Sequence, residues 1–121
     1  MQIAESRVDG IVAVAPVGRI DTTTAPALEK HMIGLLNGGE RRLVVDFAGV
    51  DYISSAGLRV LMLAAKQAKA QQGYLALVEV QPLVQEILEI SKFTLILKIL
   101  PSVRDALAEA SPAALAAFEA R

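Results

Sequence analysis

The run VDYISSAGLRVL, Val50 to Leu61, places two adjacent hydroxyls, Ser54 and Ser55, where an apolar stretch gives way to a helical one. A serine in that position can cap the helix, act as a nucleophile, or accept a phosphoryl group. If Ser54 is the N-cap, Ile53 falls just before the cap and Leu58 at the fourth helical position, the two places that form a hydrophobic staple. In this frame the Ser54 hydroxyl accepts a bond from the backbone N–H of Ala56 or Gly57. Ser55 is left at the first helical position without a structural task. A phosphate on Ser55 would face free N–H groups and the positive end of the helix dipole. Gly57 costs a helix ~1 kcal/mol relative to Ala, which predicts that it strips side chain from the tip so that another molecule can approach Ser55. The pattern alone leaves two readings open. Either both serines serve only the cap and first turn, or Ser55 carries a modification.

Enzyme chemistry finds little support. A serine nucleophile needs a base, and the single histidine, His31, is far away in sequence. The G-x-S-x-G elbow fails because Ile53 stands in the first Gly place. Neither G-x-x-x-x-G-K-[ST] nor G-x-G-x-x-G occurs. With no cysteine, thiol nucleophiles, thiolate metal sites and disulfides are excluded, and a metal centre would rest on carboxylates. The chain is therefore expected to be a substrate of enzymes and not an enzyme, with no cofactor and no metal.

Charge and composition narrow the partners. Twelve basic and thirteen acidic residues give a net charge of −1 over 121 residues, and the two tyrosines and three phenylalanines are scattered. That is neither the basic stripe nor the stacking platform of a nucleic-acid binder. The first ten residues lack the regions of a signal peptide, and no apolar run reaches the ~18–20 residues that span a bilayer. A soluble cytoplasmic protein, without nucleic acid or direct membrane insertion, is the expectation.

The elements that must position the serines follow from pattern. Ile3 to Val8 and Ile11 to Val17 read as strands joined through Asp9-Gly10, a type I′ hairpin signal. Thr24 to Leu36 reads as a helix with Pro26 in its first turn and an apolar face of Leu28, Met32, Leu35 and Leu36, stopped by Asn37-Gly38-Gly39. Leu43 to Phe47 is a short apolar strand. A helix from the serines to about Gln72 buries Leu58, Leu61, Met62 and Ala65, and Gly73 ends it. Tyr74 to Val78 is a further strand. A helix from Pro82 has Leu83, Ile87 and Leu88 on one face, and Leu95 to Leu100 is expected to be the last strand. Ser102 and Asp105 suggest a capping box for the next helix. Alternation of strand and helix from Leu43 onward implies an α/β fold. It has one mixed, mostly parallel sheet, an N-terminal antiparallel hairpin, and helices packed largely on one side.

Three segments, VGRIDTTTAP (Val17 to Pro26), LVVDFAGVDYISSAGLRVL (Leu43 to Leu61) and GYLALVEVQPLVQEILEIS (Gly73 to Ser91), resemble the STAS family, typified by bacterial anti-sigma factor antagonists. The family pattern at the helix tip is Asp or Ser, then the phosphoacceptor Ser, a small residue, Gly and Leu. Laid on this chain, Ser55 takes the phosphoacceptor place, which the staple frame independently leaves idle. Ser54 replaces the aspartate often found there by a neutral cap, a change that bears on kinase preference. Asp21 matches the loop aspartate, and the resemblance implies that Asp21, Thr22 and Thr23 lie beside the tip. Together with Ser54, Ser55, Gly57, Leu58 and Arg59 they would make the partner-binding surface. From the residues alone, Asp21-Thr22-Thr23 reads equally as a polar strand–helix turn, and Arg59 as a solvated cation.

The resemblance implies a cytoplasmic phosphoprotein of bacterial signalling and transcription regulation that works by partner switching. Unphosphorylated, it binds an anti-sigma factor serine kinase; phosphorylation at Ser55 releases it, and a PP2C-type serine phosphatase restores it. The alternative is a non-switching STAS interaction subunit, of a lipid-transport ABC complex or of a stressosome-like scaffold. Scaffold subunits usually carry an additional N-terminal domain, whereas this chain starts with its first strand. Residues 1–110 are read as the STAS domain and 111–121 as a C-terminal helical extension. Ser111-Pro112 starts a helix in that extension, with Leu115 and Phe118 on one face, expected to pack on its own domain or on a second copy in a homodimer. Asp46, inside an apolar strand, needs hydrogen-bond donors, and the Ser54 turn is the expected source.

Overall fold

A computed structural model describes residues 1–120. Strand β1 (Gln2–Val8) turns through Asp9 and Gly10, both at positive φ, into β2 (Ile11–Ile20), and the two pair antiparallel from Gln2 opposite Val17 to Val8 opposite Ile11. Helix α1 (Ala25–Asn37), β3 (Arg42–Asp46), β4 (Val50–Ile53), α2 (Ser55–Ala70), β5 (Tyr74–Val78) and α3 (Pro82–Ile90) follow. A 3-10 turn (Phe93–Leu95), β6 (Lys98–Leu100), α4 (Val103–Ala110) and α5 (Pro112–Glu119) complete the order. The sheet runs β1-β2-β3-β5-β6, parallel after the hairpin. Arg121 lies outside the described residues.

Strand β4 was not separable in the sequence from the apolar run that enters the helix, and it decides the geometry of the site. The first half of β2 pairs with β3 through Val12 to Val14. From Gly18, whose φ is +108°, β2 pairs with β4 instead, with a register shift between Gly18 and Arg19, and the ladder ends with Ile20 opposite Ile53. The Gly18 N–H donates to the Gly49 carbonyl at 2.8 Å and anchors the change of partner. Both strands therefore deliver their next residues, Asp21 and Ser54, to one corner of the sheet.

Period-2 alternation divides the core into two layers. Leu43, Val45 and Leu77 face α1, α2 and α3, while Val44, Ala76 and Val78 face α4 and α5. Three helices thus cover one side of the sheet and the two last helices the other. On α2 the buried stripe is Leu58, Val60, Leu61, Ala64 and Ala68; Met62 and Ala65, expected in the core, are only half-buried.

Two expectations for the C-terminal half are corrected. On α3 the buried residues are Val84 and Leu88, whereas Leu83 is 52% exposed, because the helix lies with its next residue toward the core. The strand expected over Leu95 to Leu100 is only Lys98–Leu100. Lys92 enters the left-handed region at φ 62° and turns the chain into the 3-10 turn, leaving Leu95 and Ile96 in solvent. Gly73 closes α2 as expected, its N–H donating to the Ala68 carbonyl at 2.7 Å, while Gln72 takes the positive φ; the glycine has a second role as well. A Cβ on Gly73 would sit 2.5 Å from the Arg41 carbonyl oxygen, so glycine lets β5 start beside β3.

The C-terminal segment forms α5 and packs on this chain. Ser111 Oγ accepts from the Ala114 N–H at 3.2 Å with Pro112 in the first turn. Ala114 is fully buried, and Leu115 and Phe118 pack against the layer of Val8, Ile11 and Leu107. Ser102 caps α4 as expected, accepting from the Asp105 N–H at 3.2 Å while its hydroxyl donates to Asp105 Oδ2 at 2.9 Å.

Candidate functional site

The tip of α2 is built as the staple frame requires. Ser54 has extended backbone angles, and its Oγ accepts from the Gly57 N–H at 3.4 Å. Its own N–H donates to the Ile20 carbonyl at 2.8 Å, and its carbonyl accepts from the Leu58 N–H at 2.9 Å. The Ser54 N–H, carbonyl and Oγ are thus all engaged, Oγ as the cap acceptor. Ser55, the first helical residue, is exposed, and its hydroxyl has no hydrogen-bond partner among the described residues. Ile53 and Leu58, the staple pair, both belong to the core beneath α2. The exposed serine therefore stands on a rigid base.

Gly57 does something other than clear a path to Ser55. It is buried, and a Cβ there would lie 2.6 Å from both Ile20 Cγ2 and Ile53 Cγ1. Glycine lets the first turn of α2 sit directly on the ends of β2 and β4, where any larger residue would lift the tip. Gly57 and Leu58, expected to contribute to the partner surface, face inward. Their contribution is to hold Ser55 where it is.

Asp21 organises the neighbouring loop. Its Oδ1 accepts from the Thr23 N–H at 3.0 Å, the Thr23 hydroxyl at 2.7 Å and the Thr24 N–H at 3.2 Å. The Thr23 hydroxyl first, then the loop N–H groups, hold the Asp21 carboxyl below its ordinary value of 3.8. Thr24 locks the loop further, donating to the Arg19 carbonyl at 2.7 Å while accepting from the Asp21 N–H at 2.9 Å. Thr22 and Thr23 are exposed beside it. The loop and the tip form one surface because Ile20 and Ile53 are paired.

Cationic side chains border this surface. Arg19 lies 4.4 Å from the centroid of the Tyr52 ring and 3.9 Å from Asp21 Oδ2, a pair that sequence reasoning missed because it depends on the β2–β4 register. Arg59 is not a free cation: its Nη1 is 3.2 Å from Glu29 Oε1 on α1. Between α1 and α2 a cleft of about 400 Å³ opens beside the tip, lined by Thr22, Pro26, Glu29, Ala56 and Arg59 among others.

Two other candidates are placed away from the tip. Asp46 receives its bond from the Ala48 N–H at 2.9 Å, closing its own turn rather than the Ser54 turn, because its position on β3 directs it to the α4–α5 side. His31 Nε2 is 2.8 Å from Glu5 Oε1 of β1 and is half-buried. No group of His, Asp and Glu that could hold a metal ion occurs among the described residues, and no described helix is long and apolar enough to cross a membrane.

The fold that carries this exposed serine and the aspartate-ordered loop is shared with known proteins. Residues 2–106 match the STAS domain family. The chain belongs to the STAS family. BtrV of Bordetella bronchiseptica, named as a candidate anti-sigma factor antagonist, is 41% identical over 115 residues, covering 95% of this chain and 98% of that protein. The crystal structure of a candidate anti-sigma factor antagonist from Thermotoga maritima superposes with a TM-score of 0.85 at 24% identity, over 89% of this chain and 93% of the other. SpoIIAA, a Bacillus cell fate determinant solved in its phosphorylated form, superposes at 0.71 and 12% identity, over 91% and 100%. These two likenesses establish the STAS fold. The matched STAS residues end within α4, so α5 lies beyond them.

Proposed function

We propose that this STAS protein is an anti-sigma factor antagonist that works by partner switching. The unphosphorylated tip of α2, with the Asp21 loop, binds an anti-sigma factor serine kinase; phosphorylation of Ser55 ends the contact, and a PP2C-type serine phosphatase restores it. The observation that carries this reading is the division of labour at the tip. Ser54 Oγ accepts the cap bond, and Ser55, one residue on, is exposed with a hydroxyl that has no hydrogen-bond partner among the described residues.

The same geometry supports a switch without a change of fold. A phosphate adds about −1.5 to −2 charges at pH 7. At the first turn of a helix that charge meets free N–H groups and the positive end of the dipole, so α2 tolerates it. Within a close contact it adds bulk, desolvation and repulsion from any facing carboxylate. A loss of ~3 kcal/mol at the interface weakens affinity about a hundredfold. The chain acts here as a binding protein and a kinase substrate, without catalysis of its own.

Incubation with the anti-sigma kinase and ATP, followed by intact mass and peptide mapping, tests the assignment. One added phosphate at Ser55 is the expected result. Ser55→Asp should weaken kinase binding by calorimetry, in part only, since a carboxylate carries less charge than a phosphate. Undiminished affinity would favour a non-switching docking module.

A further inference from the structure

Four of the six large apolar side chains that stand exposed among the described residues, Leu83, Ile90, Leu95 and Ile96, come from α3 and the turn after it. Ile90 is 73% and Leu95 80% exposed. Leu83, Glu86 and Ile90 recur at the spacing of one helical face, and Glu89 borders it. This face is an apolar ridge with acidic sides. Next to it, the 3-10 turn and α2 wall a cleft of about 300 Å³ lined by Met62, Ala65, Lys66, Lys69, Leu95 and Ile96. This cleft is apolar with basic sides.

The charges of the two features are unanswered by ion pairs among the described residues. Lys66, Lys69 and Glu86 take part in no ion pair among the described residues. Among the described residues Glu89 accepts only a bond from Gln85 Nε2 at 3.0 Å. An acidic apolar ridge and a basic apolar cleft on one molecule are complementary between copies.

We propose that a second copy of this chain covers the patch, the α3 ridge of each seated in the α2 cleft of the other. A two-fold contact uses both features twice, each copy supplying ridge and cleft. An anionic membrane surface would attract Lys66 and Lys69 but repel Glu86 and Glu89, which flank the exposed Ile90 on α3. The contact is small and polar-rimmed, so the dimer is reversible and weakened by salt. It goes beyond the switching role and does not draw on Ser55. Lys66 is eleven residues further along α2, about 16 Å at 1.5 Å per residue, so both Ser55 tips stay accessible.

Sedimentation velocity of the full, unmodified chain over a wide concentration series, at low and high salt, tests this. A reversible dimer that dissociates as salt rises is expected. The double variants K66E/K69E and E86K/E89K should each lose affinity by on the order of tenfold or more. Mixed together they should re-form a dimer, because every ridge then meets a cleft of opposite charge. Leu95→Ser should weaken association without any change of charge, and far-UV circular dichroism checks that each variant is folded. A chain that stays monomeric, variants that dimerise as the parent does, or a mixture that fails to recover would each overturn the proposal. Capture of a monomer by phosphatidylserine vesicles would overturn it in favour of a membrane surface.

Discussion

The backbone N–H of Ser54 donates to the carbonyl of Ile20 at 2.8 Å, which ties the start of α2 to the end of β2. Thirty-four positions separate the two residues in sequence, yet this bond sets the Asp21 loop against the helix tip. The cap bond from Gly57 to Ser54 Oγ completes the corner. Ser55 then stands beyond a scaffold that its neighbours have already satisfied.

The two serines should separate cleanly in mutagenesis. Ser54→Ala removes a cap and should cost ~1 kcal/mol in denaturant unfolding. Ser55→Ala removes no bond and should fall within about 0.5 kcal/mol of the parent, while abolishing labelling by the kinase. Label mapped to Ser54 with Ser55 unmodified would refute the frame.

Gly57→Ala should destabilise, against the helix propensity that favours Ala by ~1 kcal/mol. The new methyl would have to displace Ile20 and Ile53, both in the core, and overpacking of this kind costs ~1–3 kcal/mol. With two contacts at 2.6 Å, a net loss of ~1–2 kcal/mol is expected. A variant as stable as the parent would show that the corner between β2, β4 and α2 has slack.

Asp21 should titrate below 3.8, the ordinary value for its carboxyl. A carboxyl whose pKa is lowered by folding contributes stability above its unfolded pKa and loses that contribution as pH falls through the folded pKa. The loop should therefore loosen only in acid, below the ordinary carboxylate range. Carbon-detected NMR of the Asp21 carboxyl reads the midpoint directly. Thr23→Val removes the hydroxyl that contributes most and should raise it; a midpoint that does not move would mean the loop N–H groups suffice.

Removal of residues 111–121 should expose the Val8, Ile11 and Leu107 layer, with the buried Ala114 and the packing of Leu115 and Phe118 lost. A loss of ~2 kcal/mol from these partly buried groups corresponds to roughly 8 °C in melting temperature at about 4 °C per kcal/mol. The α4–α5 side lies across the sheet from α2, so the proposed kinase binding should survive. An unchanged melting temperature would show that α5 packs without contributing, and lost binding would bring the extension into the partner surface.

Local chemistry was legible along the chain. Asp9-Gly10 forms its turn, Pro26 and Pro82 open helices, and the serine pair divides into cap and free hydroxyl. Each of these depends on residues a few positions apart, where backbone preference and near-neighbour hydrogen bonds decide. Alternation of strand and helix likewise implied the mixed sheet. The rest belongs to contacts between distant segments. β2 pairs with β3 over Val12 to Val14 and with β4 from Gly18 onward, and β4 is recognisable as a strand only through that second pairing. Gly57 looked like an opening toward a partner and is a packing requirement set by Ile20 and Ile53. Asp46 looked bound to the serine turn and closes its own, since pleating directs it to the opposite face. Leu83, Leu95 and Ile96 are as apolar as their buried neighbours, and hydrophobicity alone ranks them with the core. Only the tertiary placement of α3 and its following turn, with the core already filled by Val84, Leu88 and Leu97, leaves them facing outward.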